Sequence, residues 1–562
     1  MPRNNLLTAA FLFVLALVLL GTLGTTEISV DSYDYATSIR EGTQLLHPHH
    51  LAYNFVNHQV LNGLTALGFA PEAFRVARAH NLFFAALTLG FTFLFFREMG
   101  KTAVGALLGA LGLLFCFGFW KMASVVEVYV PGMMFLVAAC WYLARLGSGP
   151  LRGKDGFILG ALLLGAIFYH QTNVLFAVPL AVWLCLRGGR RGGIQAAATL
   201  LPSGIVCLAV YVLAAHASGY ELSRAGLLDY TFRYEMLDHA AWGTFSNLGP
   251  KGWFQLYRSQ IANVIVGRYA AVFLYQLLYG LAIIAVIVWN LRQVTRKRIQ
   301  LPDRHWRIVF LSWLAVHYLF FGWWLPQESE FFVVSLFPLL GLLYFGLRDL
   351  WQPNPTGTVV QVIFFVLLVG QIGLHLKYVF FEEHSDQPVR ITAQTLDQAV
   401  PGSGYLIDER TLVETMRYYH NWTGYGARLL MLKSLGAEPF LEIKDFTKAE
   451  SILVNLDRIS PERDFGGRSG FSHPSEYAVF LRTLFQLRRA EDRGWRARRG
   501  TPISIDGQPY LFLGPTDQPH SGPGQLIDDL QAQLPVDRTP GPAFRRWTRK
   551  FGSQIAPPLL HP

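Results

Sequence analysis

The apolar stretch Leu6–Leu23, LLTAAFLFVLALVLLGTL, is followed by Asp31–Tyr53, DSYDYATSIREGTQLLHPHHLAY. The first stretch has no charged residue and is about as long as an α-helix that crosses a bilayer. The second stretch concentrates aspartates and histidines next to it. Ionisable residues so close to a membrane segment are costly to place and are functional candidates. Together the two stretches predict a membrane helix with a polar site at its end.

The composition extends the membrane prediction to most of the chain. Of 562 residues, 52% are hydrophobic and only 15% are charged, and the mean hydropathy is +0.30. A charged fraction this far below the usual quarter, with so many apolar residues, is typical of a polytopic membrane protein. About eleven runs are long enough to span a bilayer, and they lie at 6–24, 74–96, 102–121, 128–146, 156–170, 173–187, 193–216, 266–290, 307–325, 331–347 and 358–381.

Positive residues lie in alternate short loops between these runs, for example Arg97 and Lys101, and then Arg145. Cytoplasmic loops carry an excess of lysine and arginine, so we predict a cytoplasmic N-terminus. An odd number of spans then places the C-terminal part outside. The first loop, the loop 217–265 and residues 382–562 are accordingly predicted to be extracytoplasmic.

The sequence becomes mixed in character after residue 381. We predict a transmembrane domain over 1–381, an extracytoplasmic α/β domain over 382–514 and a Pro- and Gly-rich tail over 515–562. Short apolar runs and helical periodicity predict strands at 405–407, 452–454 and 510–513 and helices at 412–422 and 476–488. The predicted fold class is therefore mainly α, a polytopic membrane protein with a small α/β domain.

Two carboxylates stand at the start of the first loop. Asp31 and Asp34 are three residues apart, so on a helix they share a face. A carboxylate there can act as a general base on an acceptor hydroxyl or hold a divalent cation, which makes both residues candidate catalytic groups. Asp31 also suits the N-cap of an interfacial helix, and this structural alternative stays open. Whether Mg²⁺, Mn²⁺ or no cation serves the site also stays open.

Clustered histidines follow in the segment His47-Pro48-His49-His50. Imidazoles can bind phosphate or sugar hydroxyls where the loop returns to the membrane, so these three are candidate substrate-binding residues. Such a cluster could also bind zinc. A structural zinc site usually has four protein ligands, however, and no motif that would supply the others is visible. Ordinary packing at the interface is the remaining alternative.

A second acid, Glu127, precedes the span at 128–146 and belongs to the next outer loop. Carboxylates from the first two outer loops could converge on one site, which makes Glu127 a third candidate catalytic residue beside Asp31. The alternative is that Glu127 pairs with Lys121 or interacts with the dipole of its own helix.

Two further outer turns carry polar side chains. His170 and Gln171 end the span 156–170, where they could line a substrate cavity, and a polar helix turn is the equal alternative. Gln327, Glu328 and Glu330 lie between aromatic residues in the turn before the span 331–347. These residues are candidates for binding sugar hydroxyls or the acceptor. The alternative is that the turn, with its aromatic residues, only anchors the protein at the membrane–water interface.

Two arginines are candidates for binding a phosphate. Arg258 lies near the end of the loop 217–265 and Arg268 at the start of the next span, interleaved with aromatic residues such as Trp253 and Tyr257. Arginine binds phosphate with two hydrogen bonds. Both side chains could instead snorkel to lipid headgroups.

Several of these motifs together resemble one family. The chain is similar to the bacterial polytopic family related to protein O-mannosyltransferases, within the GT-C glycosyltransferase superfamily, over roughly residues 1–190. The residues that carry the resemblance are Asp31, His47-Pro48, Trp120, Glu127-Val128-Tyr129 and Tyr169-His170-Gln171-Thr172-Asn173. One element departs from the family, whose usual sequence is His-Pro-Pro-Gly-Tyr-Pro, whereas this chain has His47-Pro48-His49-His50-Leu51-Ala52-Tyr53.

The resemblance implies a membrane glycosyltransferase of a bacterial inner membrane that moves a sugar from a polyprenyl-phosphate donor on the extracytoplasmic face. It also implies that Asp31 is the catalytic first-loop aspartate. The acceptor, whether protein, lipid or glycan, is left open. A transporter or flippase of lipid-linked sugars is the competing class, although the polar groups gather at one membrane face rather than at the midplane, and no inverted repeat is visible. The net charge of +10 favours contact with membrane lipids over nucleic acid.

Overall fold

The computed structural model describes residues 3–25, 31–100, 102–147, 151–237, 245–264, 273–295, 301–350, 366, 369–376, 404–407, 451–455, 498–505 and 508–515. The chain divides into two compact units. One comprises residues 1–234 and 241–385, and the other comprises 235–240 and 386–562.

The first unit is helical. Its helices are α1 (Arg3–Leu23), α2 (Ser32–Glu41), α3 (Tyr53–Ala66), α4 (Ala73–Gly100), α5 (Ala103–Leu114), α6 (Phe117–Ser124), α7 (Tyr129–Leu146), α8 (Gly153–Tyr169), α9 (Ala177–Ala217), α10 (Arg224–Leu237), α11 (Pro250–Val264), α12 (Phe273–Thr295), α13 (Leu301–Trp324) and α14 (Leu336–Leu350). Short 3₁₀ helices cover Gln171–Phe176, Phe245–Leu248 and Ser329–Ser335.

Seven described helices are long and apolar enough to cross a membrane, or eight if α5 and α6 form one bent span. The chain is therefore a multi-pass membrane protein. The predicted count of eleven is not reached within the described residues. The 17 residues of α8 give about 25 Å of helix, less than a hydrocarbon core of about 30 Å. The predicted span at 358–381 lies largely outside the described residues, so the count of eleven stays a prediction.

Two of the predicted spans fall largely within α9, which together with the preceding 3₁₀ helix counts as one of the seven candidates. Its backbone is not helical at Gly189, which has φ 53° and ψ −129°. Glycine adopts a positive φ without the steric cost that a side chain brings. The helix α9 thus consists of two segments on either side of Gly189, matching the predicted spans 173–187 and 193–216.

The predicted span at 102–121 consists of two helices that together are long and apolar enough to form one broken span or a re-entrant loop. These helices, α5 and α6, are bent by 65° at the break between them. The side chain of Gln371 donates from Nε2 to the carbonyl of Phe115 at 3.0 Å, so a backbone group at the break is satisfied inside the protein, as a membrane environment requires. The bend leaves Lys121 in the last turn of α6.

The core of the first unit forms around α4, which packs against α1, α5 and α7. Near the end of α4, Phe95 contacts aromatic rings of two other helices. Its centroid lies 4.9 Å from Trp306 and 5.8 Å from Phe310, both on α13, and 5.2 Å from Phe337 on α14. Since aromatic side chains bury large apolar areas, this cluster holds the early and late helices together.

The second unit contains a four-stranded sheet of β1 (Gly404–Ile407), β2 (Ser451–Asn455), β3 (Arg498–Ile505) and β4 (Gln508–Pro515). The strand order is β1-β2-β4-β3, with β1 parallel to β2 and the other neighbours antiparallel. The three segments predicted to be strands lie in β1, β2 and β4. Strand β3 was not predicted from the sequence. The predicted helices at 412–422 and 476–488 lie outside the described residues, and the α/β domain and its tail stay predictions.

Candidate active site

Asp31 occupies the N-cap position of α2. Its backbone carbonyl accepts a hydrogen bond from the Tyr35 amide at 2.9 Å, but its side chain makes no capping hydrogen bond. The carboxylate interacts electrostatically with Glu330 and with Tyr129. The capping alternative is therefore not the role of the Asp31 side chain in this structure.

The segment before α7 is fixed by side chains from other helices. Asn81 on α4 donates from Nδ2 to the carbonyls of Val125 and Glu127, at 2.7 and 2.6 Å. The Tyr53 hydroxyl in turn donates to Asn81 Oδ1 at 3.0 Å. Glu127 is buried, with 2% of its surface exposed, and interacts electrostatically with Tyr53 and with Tyr129. A buried amide of α4 thus sets the position of a buried acid.

Glu330 is the point at which the acids meet. Its carboxylate accepts a hydrogen bond from the Tyr129 hydroxyl and interacts electrostatically with Asp31, Glu328 and Lys121. Carboxylates this close repel one another, and the lysine offsets part of that repulsion. We call the group the acid cluster, and it consists of Asp31, Lys121, Glu127, Tyr129, Glu328 and Glu330.

The helix α11 holds the segment that carries Glu328 and Glu330. The Ser259 hydroxyl donates to the carbonyl of Pro326 at 2.8 Å. Asn263 donates from Nδ2 to the carbonyl of Ser329. Both α11 side chains are buried, so each satisfies a backbone group that would otherwise be desolvated without a partner.

The histidines form a second group. His47 stacks on His50 with ring centroids 4.4 Å apart and planes 13° apart, and the His47 and His49 rings lie 5.1 Å apart. His49 and His50 both interact electrostatically with His170. We call His47, His49, His50 and His170 the histidine cluster.

Burial keeps the loop histidines neutral. It lowers the pKa of His47 from 6.5 to about 4, although Asp34 acts in the opposite direction. Burial also lowers the pKa of His49 and of His50 well below the ordinary value, and the neighbouring imidazoles add to the effect. At pH 7 these rings therefore offer N–H donors and nitrogen acceptors rather than positive charge.

Backbone and tyrosine contacts hold the histidine loop in place. The amide of Gln171 donates to the carbonyl of His49 at 2.8 Å, and the Tyr211 hydroxyl on α9 donates to the carbonyl of Pro48 at 2.7 Å. The loop therefore depends on the α8–α9 region, which lies more than a hundred residues later in the chain.

The two clusters meet at Tyr129 and His170, whose ring centroids are 4.9 Å apart. The Nδ1 atom of His170 lies 2.6 Å from the Thr172 hydroxyl, and His317 on α13 also interacts with His170. A group bound at one cluster would consequently lie next to the other.

The structure brings most of the predicted site residues together. Those that converge are Asp31, Asp34, Glu127, His47, His49, His50, His170, Gln171, Glu328 and Glu330. The side chain of Gln327 is exposed, and Arg258 is exposed on α11 away from the face that holds the acid segment. Arg268 lies outside the described residues.

Several members of the site were not predicted from the sequence. Lys121 was considered only as a partner for Glu127, yet it interacts with Glu330. Asn81 and Tyr129 were not singled out for a role. The available signals were a cation directly after Trp120 and an amide directly after His80 at the start of an apolar run, and neither identifies its partner along the chain.

The described part of the chain shows no clear arrangement of side chains that would bind a metal ion. Within those residues, no group of three or more histidine, cysteine, aspartate or glutamate side chains is placed to hold a metal ion. A divalent cation therefore stays a prediction that rests on the chemistry of carboxylates.

Comparison with known proteins gives a fold. No protein-family model matches the sequence, and no curated protein is similar to it at a significant level. Among solved structures, ArnT from Cupriavidus metallidurans bound to undecaprenyl phosphate is 12% identical with a TM-score of 0.54, and the match covers 92% of this chain and 100% of that one. The Archaeoglobus fulgidus oligosaccharyltransferase tethered to an acceptor peptide is 11% identical with a TM-score of 0.50, covering 92% and 75%. These likenesses confirm the GT-C fold predicted from the sequence.

Proposed function

We propose that this protein is an integral membrane glycosyltransferase that moves a sugar from a polyprenyl-phosphate-linked donor to an acceptor hydroxyl on the extracytoplasmic face. The observation that carries the proposal is the acid cluster, in which acids from three separate segments meet one lysine and one tyrosine. The GT-C fold supports it, because the structural neighbour ArnT is bound to undecaprenyl phosphate.

The proposed reaction is a single displacement at the anomeric carbon of the donor sugar. The acceptor oxygen forms a bond to that carbon while the bond from the carbon to the phosphate oxygen breaks. Asp31 takes the proton of the acceptor hydroxyl, and the bonding electrons leave with the polyprenyl phosphate. General-base catalysis of this kind contributes about 10² to 10⁴ in rate.

Lys121 is the group that we assign to the leaving phosphate. It is the cation of the acid cluster, and a fixed cation near a developing negative charge stabilises the transition state. Its electrostatic interaction with Glu330 places it beside the acids. Arg258 and Arg268 were predicted for the same role, but the exposed position of Arg258 makes Lys121 the better candidate.

The remaining acids are assigned to orientation. Glu127 and Glu330 both approach Tyr129, where they can accept hydrogen bonds from sugar hydroxyls. Asp34 lies beside His47 and would help bind the acceptor together with the neutral imidazoles. A Mg²⁺ or Mn²⁺ ion could share the carboxylates, and chelation by EDTA tests that prediction.

The test uses purified protein in vesicles with a panel of polyprenyl-phosphate sugars and membrane extract as acceptor. Mass spectrometry of the product identifies donor and acceptor together, and we expect sugar transfer with release of polyprenyl phosphate. Labelled lipid-linked sugar that only changes leaflet, with no product formed, would show a flippase and refute the proposal.

The orientation and the outer domain complete the proposal. We place the N-terminus in the cytoplasm of a bacterial cell and residues 382–514 outside, as an accessory domain that guides the acceptor, followed by the tail 515–562. Protease added to intact spheroplasts should remove that domain. Its full protection would overturn the orientation and, with it, the extracytoplasmic site.

A further inference from the structure

The helix α11 buries hydrogen-bonding side chains and exposes aromatic ones, the reverse of an amphipathic helix on a water-soluble protein. Its buried side carries hydrogen-bonding residues, among them Ser259, Gln260 and Asn263. Its exposed side carries two cationic residues and one large aromatic residue, which are Lys251, Arg258 and Phe254, and Trp253 at the edge towards α13 is partly exposed. Trp253 and Phe254 are 40% and 58% exposed. Exposed aromatic side chains beside cations are typical of a helix that lies in a membrane interface.

The location of α11 agrees with that interpretation. Gly322, near the end of the membrane-length helix α13, lies against α11, and a Cβ atom there would be 3.2 Å from Leu256 and 3.9 Å from Trp253. Just before α11, Asn247 donates from Nδ2 to the carbonyl of Trp323 at 3.0 Å. The helix α11 therefore lies at the level where a membrane-spanning helix ends.

The charge of α11 indicates which lipid it would contact. Lys251 and Arg258 are exposed, seven residues apart on the same side of the helix. The sequence Pro250–Val264 contains no acidic residue. Cations at a bilayer surface attract anionic headgroups, by about 1 kcal/mol or roughly fivefold for each charge.

We propose that the exposed face of α11 docks on anionic phospholipid headgroups, which Lys251 and Arg258 bind while Phe254 inserts between them. Because the opposite face of α11 hydrogen-bonds to Pro326 and to Ser329, the docked helix fixes the segment that carries Glu328 and Glu330. Lipid composition then controls the acid cluster. The docking is independent of the proposed function, and only its effect on turnover rests on that function.

The docking is tested on the full-length protein in vesicles that contain photoactivatable phosphatidylglycerol or, separately, photoactivatable phosphatidylcholine. Peptide mapping should find crosslinks at α11 with phosphatidylglycerol in excess. We expect K251Q/R258Q to reduce them by roughly fivefold for each charge removed. R224Q, an exposed arginine on α10, is the matched control and should leave them unchanged. Equal crosslinking by both lipids, or none at α11, would overturn the docking.

The coupling is tested by S259A/N263A, which removes the hydrogen bonds to the acid segment but keeps the lipid-facing side. This variant should retain the crosslinks and lose the stimulation of turnover by phosphatidylglycerol. Stimulation equal to that of the unmodified protein would refute the coupling. If K251Q/R258Q raises the donor KM in every lipid, these cations bind the donor phosphate, and the docking proposal is wrong. If no form transfers sugar, the proposed function fails while the crosslinks still decide the docking.

Discussion

The acid cluster and the histidine cluster touch at Tyr129 and His170 but are built in opposite ways. The acids come from the start of α2, the segment before α7 and the turn after α13, and they bring like charges together. The histidines come mainly from one short loop and are kept neutral by burial. One region therefore gathers ionisable acids from distant parts of the chain, whereas the other neutralises the imidazoles of one short loop by burial.

This difference indicates a division of labour. Assembling like charges is unfavourable, and here it depends on hydrogen bonds from neutral side chains such as Asn81 and Ser259. Such an arrangement is expected where a charge develops during a reaction. Neutral imidazoles suit the recognition of hydroxyl groups instead. We therefore expect substitutions in the acid cluster to act mainly on kcat and those in the histidine cluster mainly on the acceptor KM.

The largest effect is expected for Asp31→Asn. The amide keeps the size of the side chain but cannot take a proton at neutral pH, so turnover should fall by about 10² to 10⁴. Sugar transfer by purified protein measures the rate. Glu72→Gln, which changes an exposed acid paired with Arg75, is the control and should be normal. Transfer by Asp31→Asn within threefold of the unmodified protein would move the assignment to Asp34 or Glu127.

The next effect is expected for Lys121→Gln, which should lower kcat by about 10², as loss of one group that stabilises transition-state charge does. Lys121→Arg keeps the charge and should recover part of the rate, although its geometry differs. Normal turnover in Lys121→Gln together with a lower unfolding temperature would mean that Lys121 only offsets repulsion among the acids.

The contrast between the clusters also explains what the sequence could predict. His47, His49 and His50 are neighbours in the chain, so their grouping is visible without a structure. The alternation of spans predicts that most of the acids lie at one membrane face, and this stays a prediction. The interaction between Lys121 and Glu330 could not be predicted, because the two residues are about two hundred positions apart and Lys121 lies beyond the bend between α5 and α6.

The fold shows the same limit. Apolar runs identified most helices, but at the break between α5 and α6 the carbonyl of Phe115 accepts a hydrogen bond from Gln371, which is 256 residues away in the chain. The missed strand β3 contains Gly500 and Pro502, which disfavour strands in general. Proline is tolerated there because β3 is at the edge of the sheet, and edge position is a property of the assembled sheet.

A smaller effect is expected for Asn81→Ala, which tests whether the acid cluster depends on neutral support. The substitution leaves the buried carbonyls of Val125 and Glu127 without this donor, which should cost about 1 to 3 kcal/mol of stability. We also expect a moderate loss of kcat, because Glu127 is no longer fixed. Thermal unfolding in detergent and transfer kinetics measure the two effects. Asn62→Ala, on the exposed side of α3, is the control, and an equal loss there would show that the effect is not specific to the cluster.

The smallest effect is expected for His47→Gln, and it depends on pH. The pKa of His47 is about 4 in the folded protein, against an ordinary value of 6.5, so between these values the unfolded chain binds more protons than the folded one. The neutral state of His47 therefore costs no stability above pH 6.5, and the protein loses stability through this group as the pH falls towards 4. Glutamine does not titrate, so the variant should lose less stability over that interval, while its acceptor KM at pH 7 rises only a few-fold. Unfolding temperatures from pH 7.5 to 4.5 provide the measurement, and identical pH profiles for the two proteins would show that His47 is not held neutral.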